Sequence, residues 1–259
     1  MTFKALWGKR WLLRALVPSI IFNFRFLPLK QALKLPIILY KAKIISSSGK
    51  IILNGKIKFG MVRLGEYRVS IFPNSGIILE NRGTIIFNGR AFVGNASAIS
   101  VGNNGVLYFG KNAGATCAAK IACYNSIKIE NDVLIGWGCQ LFDTDFHRIK
   151  YQEDECLDTS AQAFGSIVIS EGTWIANGCK IYKNTYIPKK CIVGADTILR
   201  NFHIDQPYSL VINKRNISSP VQGIYLDRQD DSIIYPPHTH STLITNTLRA
   251  ITTPVYEAA

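Results

Sequence analysis

Acidic residues are missing from the first quarter of this 259-residue chain: residues 1–65 contain 13 Lys and Arg but no Asp or Glu. The remaining residues contain 17 basic and 17 acidic side chains, so the whole formal charge of +13 lies in the N-terminal quarter. Such a segment favours phosphate groups or an anionic membrane surface. No nucleic-acid-binding motif accompanies it, so we expect no nucleic-acid partner.

Long apolar runs and metal-binding motifs are also scarce. No stretch of about 18 uncharged apolar residues occurs, and the closest candidate, 11–27, is interrupted by Arg14, Pro18 and Arg25. The six cysteines show no CxxC spacing and no metal-type pairing with the four histidines, which argues against a zinc site. No clear secretory cleavage site follows the first apolar segment. The sequence therefore predicts a cytoplasmic protein without a bound metal.

A repeat of six residues is the strongest pattern that the chain contains. Bulky side chains and cysteines recur at every sixth position in three stretches. The members are Ile169, Ile175, Ile181, Ile187, Val193 and Leu199; Cys117, Cys123, Ile129, Ile135 and Leu141; and Phe87, Val93 and Ile99. The fifth position of the hexads is small or β-branched, as in Val133, Cys139, Cys179, Thr185, Cys191 and Thr197. Three short strands per coil of about 18 residues, paired in parallel with the next coil, explain both restrictions.

The same repeat predicts the role of most cysteines and of the corner residues. Five of the six cysteines occupy inward positions, where a thiol serves as a small apolar side chain, while Cys156 lies in an insertion. Left-handed backbone conformations are needed where a strand bends into the next one. The residues that we expect to provide them are Gly136, Asn177, Gly178 and Asn184.

The hexads resemble those of the hexapeptide-repeat acyltransferases, whose fold is a left-handed parallel β-helix. The resemblance covers roughly residues 75–222 and is strongest over 127–200. The segment IENDVLIGWGCQLFDTDFH (129–147) is similar to the family's active-site coil, and 171–199 is similar to the coils that follow it. Within the family, the closest likeness is to the O-acetyltransferases of bacterial capsule, lipopolysaccharide and exopolysaccharide clusters. Residues 23–40 add to this likeness. The resemblance implies a homotrimer with acetyl-CoA in the cleft between neighbouring subunits.

The predicted architecture is an all-β, left-handed parallel β-helix with a short N-terminal helical segment and an extended C-terminal tail. Residues 1–44 form the basic helical segment, 45–222 the acyltransferase domain and 223–259 the tail. The insertion 148–165 interrupts the hexads, and we expect it to wall the acceptor site. The basic segment 1–44 is expected to cap the open end of the prism, to make peripheral contact with the inner face of the cell membrane, or to do both.

The resemblance assigns the catalytic base to His147, which ends the FDTDFH motif. A base is needed because a sugar hydroxyl is a poor nucleophile at neutral pH, and histidine is its usual provider. Asp143 or Asp145 is expected to accept the other ring N–H, and the sequence leaves open which of them does so. The chain has no GxSxG motif and no cysteine that pairs with a histidine in sequence, so direct attack on acetyl-CoA is preferred over a covalent intermediate.

The resemblance also places acetyl-CoA along the coils that follow the motif. Trp174 matches the family tryptophan near the acetyl arm, and Asn177 and Ala195 match positions that line the pantetheine. Arg200, Lys214 and Arg215 stand where the phosphate contacts usually lie.

The sequence therefore predicts an acetyl-CoA-dependent O-acetyltransferase that modifies a sugar hydroxyl of a bacterial surface polysaccharide or its precursor. Its acceptor would be a glycan or a lipid-linked glycan. One alternative is an N-acetyltransferase of a nucleotide-linked amino sugar or another small amine, and a second is a non-catalytic binding prism. A metal-dependent hydratase similar to the γ-type carbonic anhydrases would need three converging histidines, and His147 has no such partners at coil spacing.

Overall fold

Short parallel strands dominate the computed structural model, which describes residues 10–147, 149–151, 163–213 and 224–226, with side chains for 15–147 and 163–213. Two helices precede the strands, α1 (Arg10–Phe26) and α2 (Leu29–Ala32). The strands are, in chain order, β1 (Ile37–Leu39), β2 (Ala42–Ser47), β3 (Lys50–Leu53), β4 (Val62–Glu66), β5 (Ile77–Asn81), β6 (Thr84–Phe87), β7 (Ala91–Gly94), β8 (Ser97–Val101), β9 (Val106–Phe109), β10 (Ala113–Ala115), β11 (Lys120–Cys123), β12 (Ser126–Ile129), β13 (Leu134–Ile135), β14 (Gln140–Phe142), β15 (Ile149–Tyr151), β16 (Ile167–Ile169), β17 (Trp174–Ile175), β18 (Lys180–Tyr182), β19 (Thr185–Ile187), β20 (Ile192–Val193), β21 (Ile198–Leu199), β22 (Leu210–Val211) and β23 (Ile224–Leu226).

Three parallel sheets form the three faces of a β-helix. Face A is β1-β4-β7-β10-β13-β17-β20-β22, face B is β2-β5-β8-β11-β14-β18-β21, and face C is β3-β6-β9-β12-β16-β19. From β1 to β21, successive strands belong to successive faces, except that β15 pairs with β23 in a separate two-stranded sheet; among the described residues, no face C strand lies between β21 and β22. This arrangement confirms the predicted parallel β-helix, while its left-handed sense stays a prediction.

The core lies along the axis of the coil. Every member of the three hexad series is buried, with 4% exposure or less. The small residues at the fifth positions are buried as well, which confirms that each strand turns two side chains inward. The cysteines at 117, 123, 139, 179 and 191 are buried free thiols, as predicted, and Cys156 lies outside the described residues. Cys139 illustrates the packing, because its thiol donates to the carbonyl oxygen of Ala176 in the next coil at 3.0 Å.

The predicted coil length of about 18 residues holds only for the C-terminal coils. Trp174 pairs with Ile192, and Ile192 with Leu210, so equivalent residues are 18 apart there. Nearer the N-terminus, Lys50 pairs with Thr84, 34 residues later. Extra residues in the corners account for the difference, since a corner can lengthen without changing which strand residues point inward.

The corner glycines serve two different purposes. Gly178 and Asn184 have φ angles of 72° and 57°, which confirms the predicted left-handed conformation. Gly136 and Asn177, which lie at the same corner in successive coils, do not have a positive φ. In the coil of Gly136 the left-handed residue is Gly138, with φ 71°, just as Gly178 is in the coil of Asn177. Gly136 is required for space instead, because a Cβ atom there would lie 2.8 Å from the backbone of the next coil at Asn177.

Helix α1 covers the first strand of face A. Asn23, which is fully buried, donates from Nδ2 to the carbonyl oxygen of Ile37 at 2.7 Å and accepts from its N–H at 3.1 Å. Ser19 accepts from the N–H of Leu39 at 2.8 Å. The β-helix begins at Ile37, within the segment assigned to the N-terminal cap. Among the described residues, neither helix is long and apolar enough to cross a membrane.

Candidate active site

The corner between faces B and C carries the predicted catalytic base. His147 is exposed and follows β14 by five residues, at the point where the chain leaves the coil. Asp143 turns inward at the same corner, where its carboxylate accepts from the N–H groups of Tyr124 at 2.7 Å and Asn125 at 2.8 Å. Burial raises the pKa of Asp143 to about 6, although these backbone donors oppose the rise.

The base of the insertion is closed by backbone pairing. Asp145 N–H donates to the carbonyl oxygen of Ala163, and Gly165 N–H donates to that of Asp143, both at 2.9 Å. Thr144 and Phe164 form an antiparallel bridge between these bonds. The two ends of the insertion therefore meet directly beside His147, and the corner holds the start of the insertion rigidly against the coil.

An aromatic cluster supports this closure on the outer side of the coil. Phe146 packs edge-on against Tyr124, with ring centroids 5.1 Å apart, and against Phe142 at 6.3 Å. Phe164 is buried in the same cluster. Since Phe146 directly precedes His147, the cluster anchors the backbone from which the imidazole projects.

Farther along the insertion, β15 pairs in antiparallel fashion with β23 of the C-terminal tail. Residues 152–162 of the insertion lie outside the described residues, so the expectation that the insertion walls the acceptor site stays a prediction. The pairing nevertheless ties the tail to the same corner of the coil, next to the candidate base.

Asp145 is paired with two cations instead of with the histidine. Its Oδ2 atom lies 2.7 Å from both Lys183 Nζ and Arg200 Nη2, in the two following coils. Within the described part of the chain, neither Asp143 nor Asp145 is hydrogen-bonded to the ring of His147. In this structure Asp143 satisfies backbone donors and Asp145 neutralises positive charge along the corner, so the expected orienting role stays a prediction.

Of the residues assigned to the acyl donor, Arg200 lies at the corner of His147, where it contacts Asp145, and the other described ones lie elsewhere on the coil. Trp174 is exposed on face A, in register with exposed Leu134 on one side and exposed Ile192 on the other. We call these three residues the face A ridge. Asn177 and Ala195 are exposed at the following corner, between faces A and B. Lys214 and Arg215 lie outside the described residues.

A single chain does not bring the two groups together. His147 and Arg200 lie at the corner between faces B and C, whereas the face A ridge and Asn177 lie on the far side of face B. The width of face B separates the two corners. In one coil it is the span from Asn177 to Lys183, six residues along the chain or about 20 Å when extended.

Two features of this region were not found from the sequence. Lys183 is buried, with 6% exposure, and nothing in the hexad pattern distinguishes it from a surface lysine. On face C, His203 Nε2 lies 2.7 Å from Asp205 Oδ1, and its ring stacks on Tyr186 with centroids 4.8 Å apart. The HxD spacing over residues 203–205 is the only sequence signal of this second imidazole–carboxylate pair.

The five described cysteines are buried in the core, and the thiol pKa of four of them is raised. Burial raises the pKa of the Cys117 thiol to about 11 and raises the pKa of Cys123 as well. A hydrogen bond with Cys179, together with burial, raises the pKa of Cys139, and the same hydrogen bond lowers the pKa of Cys179. Because only a thiolate attacks a thioester efficiently, the thiols with a raised pKa act as core side chains, and Cys179 is itself fully buried.

Comparison of the chain with models of protein families, with curated proteins and with solved structures finds no match.

Proposed function

We propose that the chain is an acetyl-CoA-dependent O-acetyltransferase that modifies a sugar hydroxyl of a bacterial surface polysaccharide or its precursor. The observation that carries the proposal is the exposed imidazole of His147, presented at the start of an insertion on a rigid β-helix corner. The similarity of the FDTDFH segment to the active-site coil of hexapeptide-repeat acyltransferases adds to it. Many activities share one fold, so the proposal depends on this residue and its surroundings.

In the proposed reaction, His147 accepts the proton of the acceptor hydroxyl while the hydroxyl oxygen attacks the thioester carbonyl. The C–S bond breaks as the ester C–O bond forms, and the imidazolium returns its proton to the departing CoA sulfur. The raised pKa values of Cys117 and Cys123 and the complete burial of Cys179 favour this direct transfer over an acyl-enzyme.

The separation of the two groups of residues supports a site shared between subunits. In a three-fold assembly, the corner that carries His147 would face the face A ridge of a neighbouring subunit. The ridge offers apolar surface for the pantetheine arm, with Asn177 and Ala195 beside it. Arg200 would then contact a CoA phosphate or help Asp145 hold the corner. A symmetric trimer of this kind uses the same two surfaces three times.

Acetyl transfer is tested with the purified full-length chain, acetyl-CoA and glycan extracted from the host. We expect release of CoA thiol that depends on the glycan, together with a mass increase of one acetyl group on the glycan. Fragmentation of the product distinguishes an ester on oxygen from an amide on nitrogen. An amide product, or no transfer and no stabilisation by CoA on heating, would contradict the proposal.

A mixing experiment tests where the site lies. We expect His147→Ala and Trp174→Ala each to be strongly impaired. When the two variants are unfolded and refolded together, sites that combine an intact His147 with an intact Trp174 of a neighbour reappear, giving roughly a quarter of wild-type activity. If each site belonged to one subunit, mixing would restore no activity.

A further inference from the structure

Helix α1 has two apolar faces, and only one of them packs against the β-helix. Asn23 and Ser19 mark the buried face, where they bond to β1. On the opposite side, Val17, Ile20, Ile21 and Phe24 are 62%, 41%, 63% and 47% exposed. Their spacing of three, one and three residues places all four on a single stripe of the helix. A surface helix normally exposes polar residues there.

Further exposed apolar side chains occur on the elements that follow α1. Leu29 and Leu33 at the short helix α2 are 63% and 67% exposed. A groove of about 610 Å³ separates α1 from β2, and Ile44 and Ile45 of that strand line its far side. Val17 and Ile21 of the stripe line the near side of the groove, so the stripe and the groove form one apolar surface, which we call the α1 surface. Contiguous exposed apolar patches of this kind mark interaction sites.

Positive charge predominates around this surface, and the nearby carboxylate of Glu80, in register with Ser46, is paired with Arg82. Exposed cations occur within and beside it, at Arg25, Lys30, Lys34, Lys41 and Lys43. Arg25 lines the groove itself. No acidic residue occurs before Glu66, so nothing in this part of the sequence offsets these charges.

We propose that the α1 surface binds an anionic lipid bilayer, with α1 lying in the plane of the membrane–water interface. An amphipathic surface with apolar side chains between lysines and arginines suits the boundary between headgroups and acyl chains, where both components contribute to binding. The complementarity favours a bilayer over a second copy of this chain, because two such surfaces would bring like charges together. The binding is independent of acetyl transfer and goes beyond the proposed function.

The geometry agrees with peripheral attachment. The bonds of Asn23 and Ser19 to β1 fix α1 to the coil through its buried face, so its exposed stripe is available without any rearrangement of the fold. Binding would hold the β-helix by its N-terminal end.

The test is co-sedimentation of the full-length chain with vesicles of phosphatidylcholine alone or of phosphatidylcholine mixed with phosphatidylglycerol. We expect binding to the mixed vesicles that weakens as salt is added, and little binding to the neutral ones. The double variant Ile21→Asp/Phe24→Asp should bind the mixed vesicles at least about tenfold more weakly. Lys30→Gln/Lys34→Gln should weaken binding and reduce its salt dependence.

A matched control replaces two exposed aliphatic residues of the coil, Val106→Asp/Ile198→Asp, and should bind as the wild type does. Circular dichroism of each variant verifies that its fold is retained. Failure of the wild type to bind the mixed vesicles would overturn the proposal, as would equal binding by the stripe variant. Sedimentation velocity identifies the rival occupant: if the stripe variant dissociates an oligomer while vesicle binding persists, the surface joins two copies of the chain and the proposal is wrong.

Discussion

The side-chain amide of Asn23 pairs with Ile37 through both of the backbone groups of that residue. Ile37 lies in β1, whose other side pairs with β4, so the amide occupies the place where another strand would otherwise add. Ser19 Oγ accepts a hydrogen bond from the next N–H on this edge, that of Leu39. Open edges of parallel sheets are prone to pair with other chains, and α1 blocks this one with two polar side chains from a largely apolar helix.

Replacing this amide should destabilise the fold. In Asn23→Ala, one buried donor and one buried acceptor of Ile37 lose their partners, which should lower the free energy of unfolding by about 2–3 kcal/mol. Urea denaturation measures the change. Asn54→Ala removes an exposed amide of the same kind and should leave stability unchanged within about 0.5 kcal/mol. Equal stabilities of the two variants would show that the pairing contributes nothing.

The alternation of inward and outward positions predicts that truncating an inward isoleucine costs far more stability than truncating an outward one. Ile181 is fully buried, whereas Ile198, in the neighbouring strand of face B, is 46% exposed. Ile181→Ala should cost about 2–5 kcal/mol, because the rigid coil leaves a cavity. Ile198→Ala should cost less than about 1 kcal/mol. Similar losses in thermal unfolding would contradict the inward assignment of the hexad residues.

The sequence revealed the core because the hexad has a direct geometric cause. Each short strand turns its residues alternately inward and outward, so the series from Ile169 to Leu199 had to be buried together. The corners obey no such period, so the 34-residue step from Lys50 to Thr84 could not be predicted. The same applies to the site: the hexad pattern does not reveal that the carboxylate of Asp143 accepts from two backbone N–H groups, because those donors belong to the corner of the preceding coil.

Burial of Asp143 predicts a measurable pH dependence. Since burial raises its pKa from 3.8 to about 6, the folded chain binds a proton there more tightly than the unfolded chain. The contribution of Asp143 to the free energy of unfolding should therefore fall by about 3 kcal/mol as the pH rises from about 4 to 6, and stay level above that. Asp143→Asn removes this titration.

The difference in unfolding free energy between wild type and Asp143→Asn should consequently decrease across that pH range, as measured by urea denaturation at a series of pH values. Asp132→Asn alters an exposed carboxylate in a corner and serves as the control. A difference that stays constant from pH 4 to 7 would be evidence against a raised pKa.

The contact of Asp145 with Lys183 predicts a coupled effect on stability. Asp145→Asn removes the carboxylate that lies 2.7 Å from the buried ammonium of Lys183 and should cost about 2 kcal/mol. The double variant Asp145→Asn/Lys183→Met should regain at least about 1 kcal/mol relative to the sum of the two single variants. Arg200 is half exposed, so Arg200→Ala should cost less than about 1 kcal/mol. Additive losses in the cycle would indicate that Asp145 and Lys183 act independently.

The two exposed histidines of the described coil predict opposite outcomes in catalysis. His147→Ala should lower turnover at least about a hundredfold, because the acceptor hydroxyl loses its base, while the oligomer and CoA binding persist. His203 has a carboxylate partner, as catalytic bases often do, but it lies on face C rather than beside the insertion. His203→Ala should therefore keep turnover within about threefold of wild type. CoA release with the host glycan measures both, and sedimentation verifies assembly. Loss of activity in His203→Ala with full activity in His147→Ala would transfer the role of the base to the pair on face C.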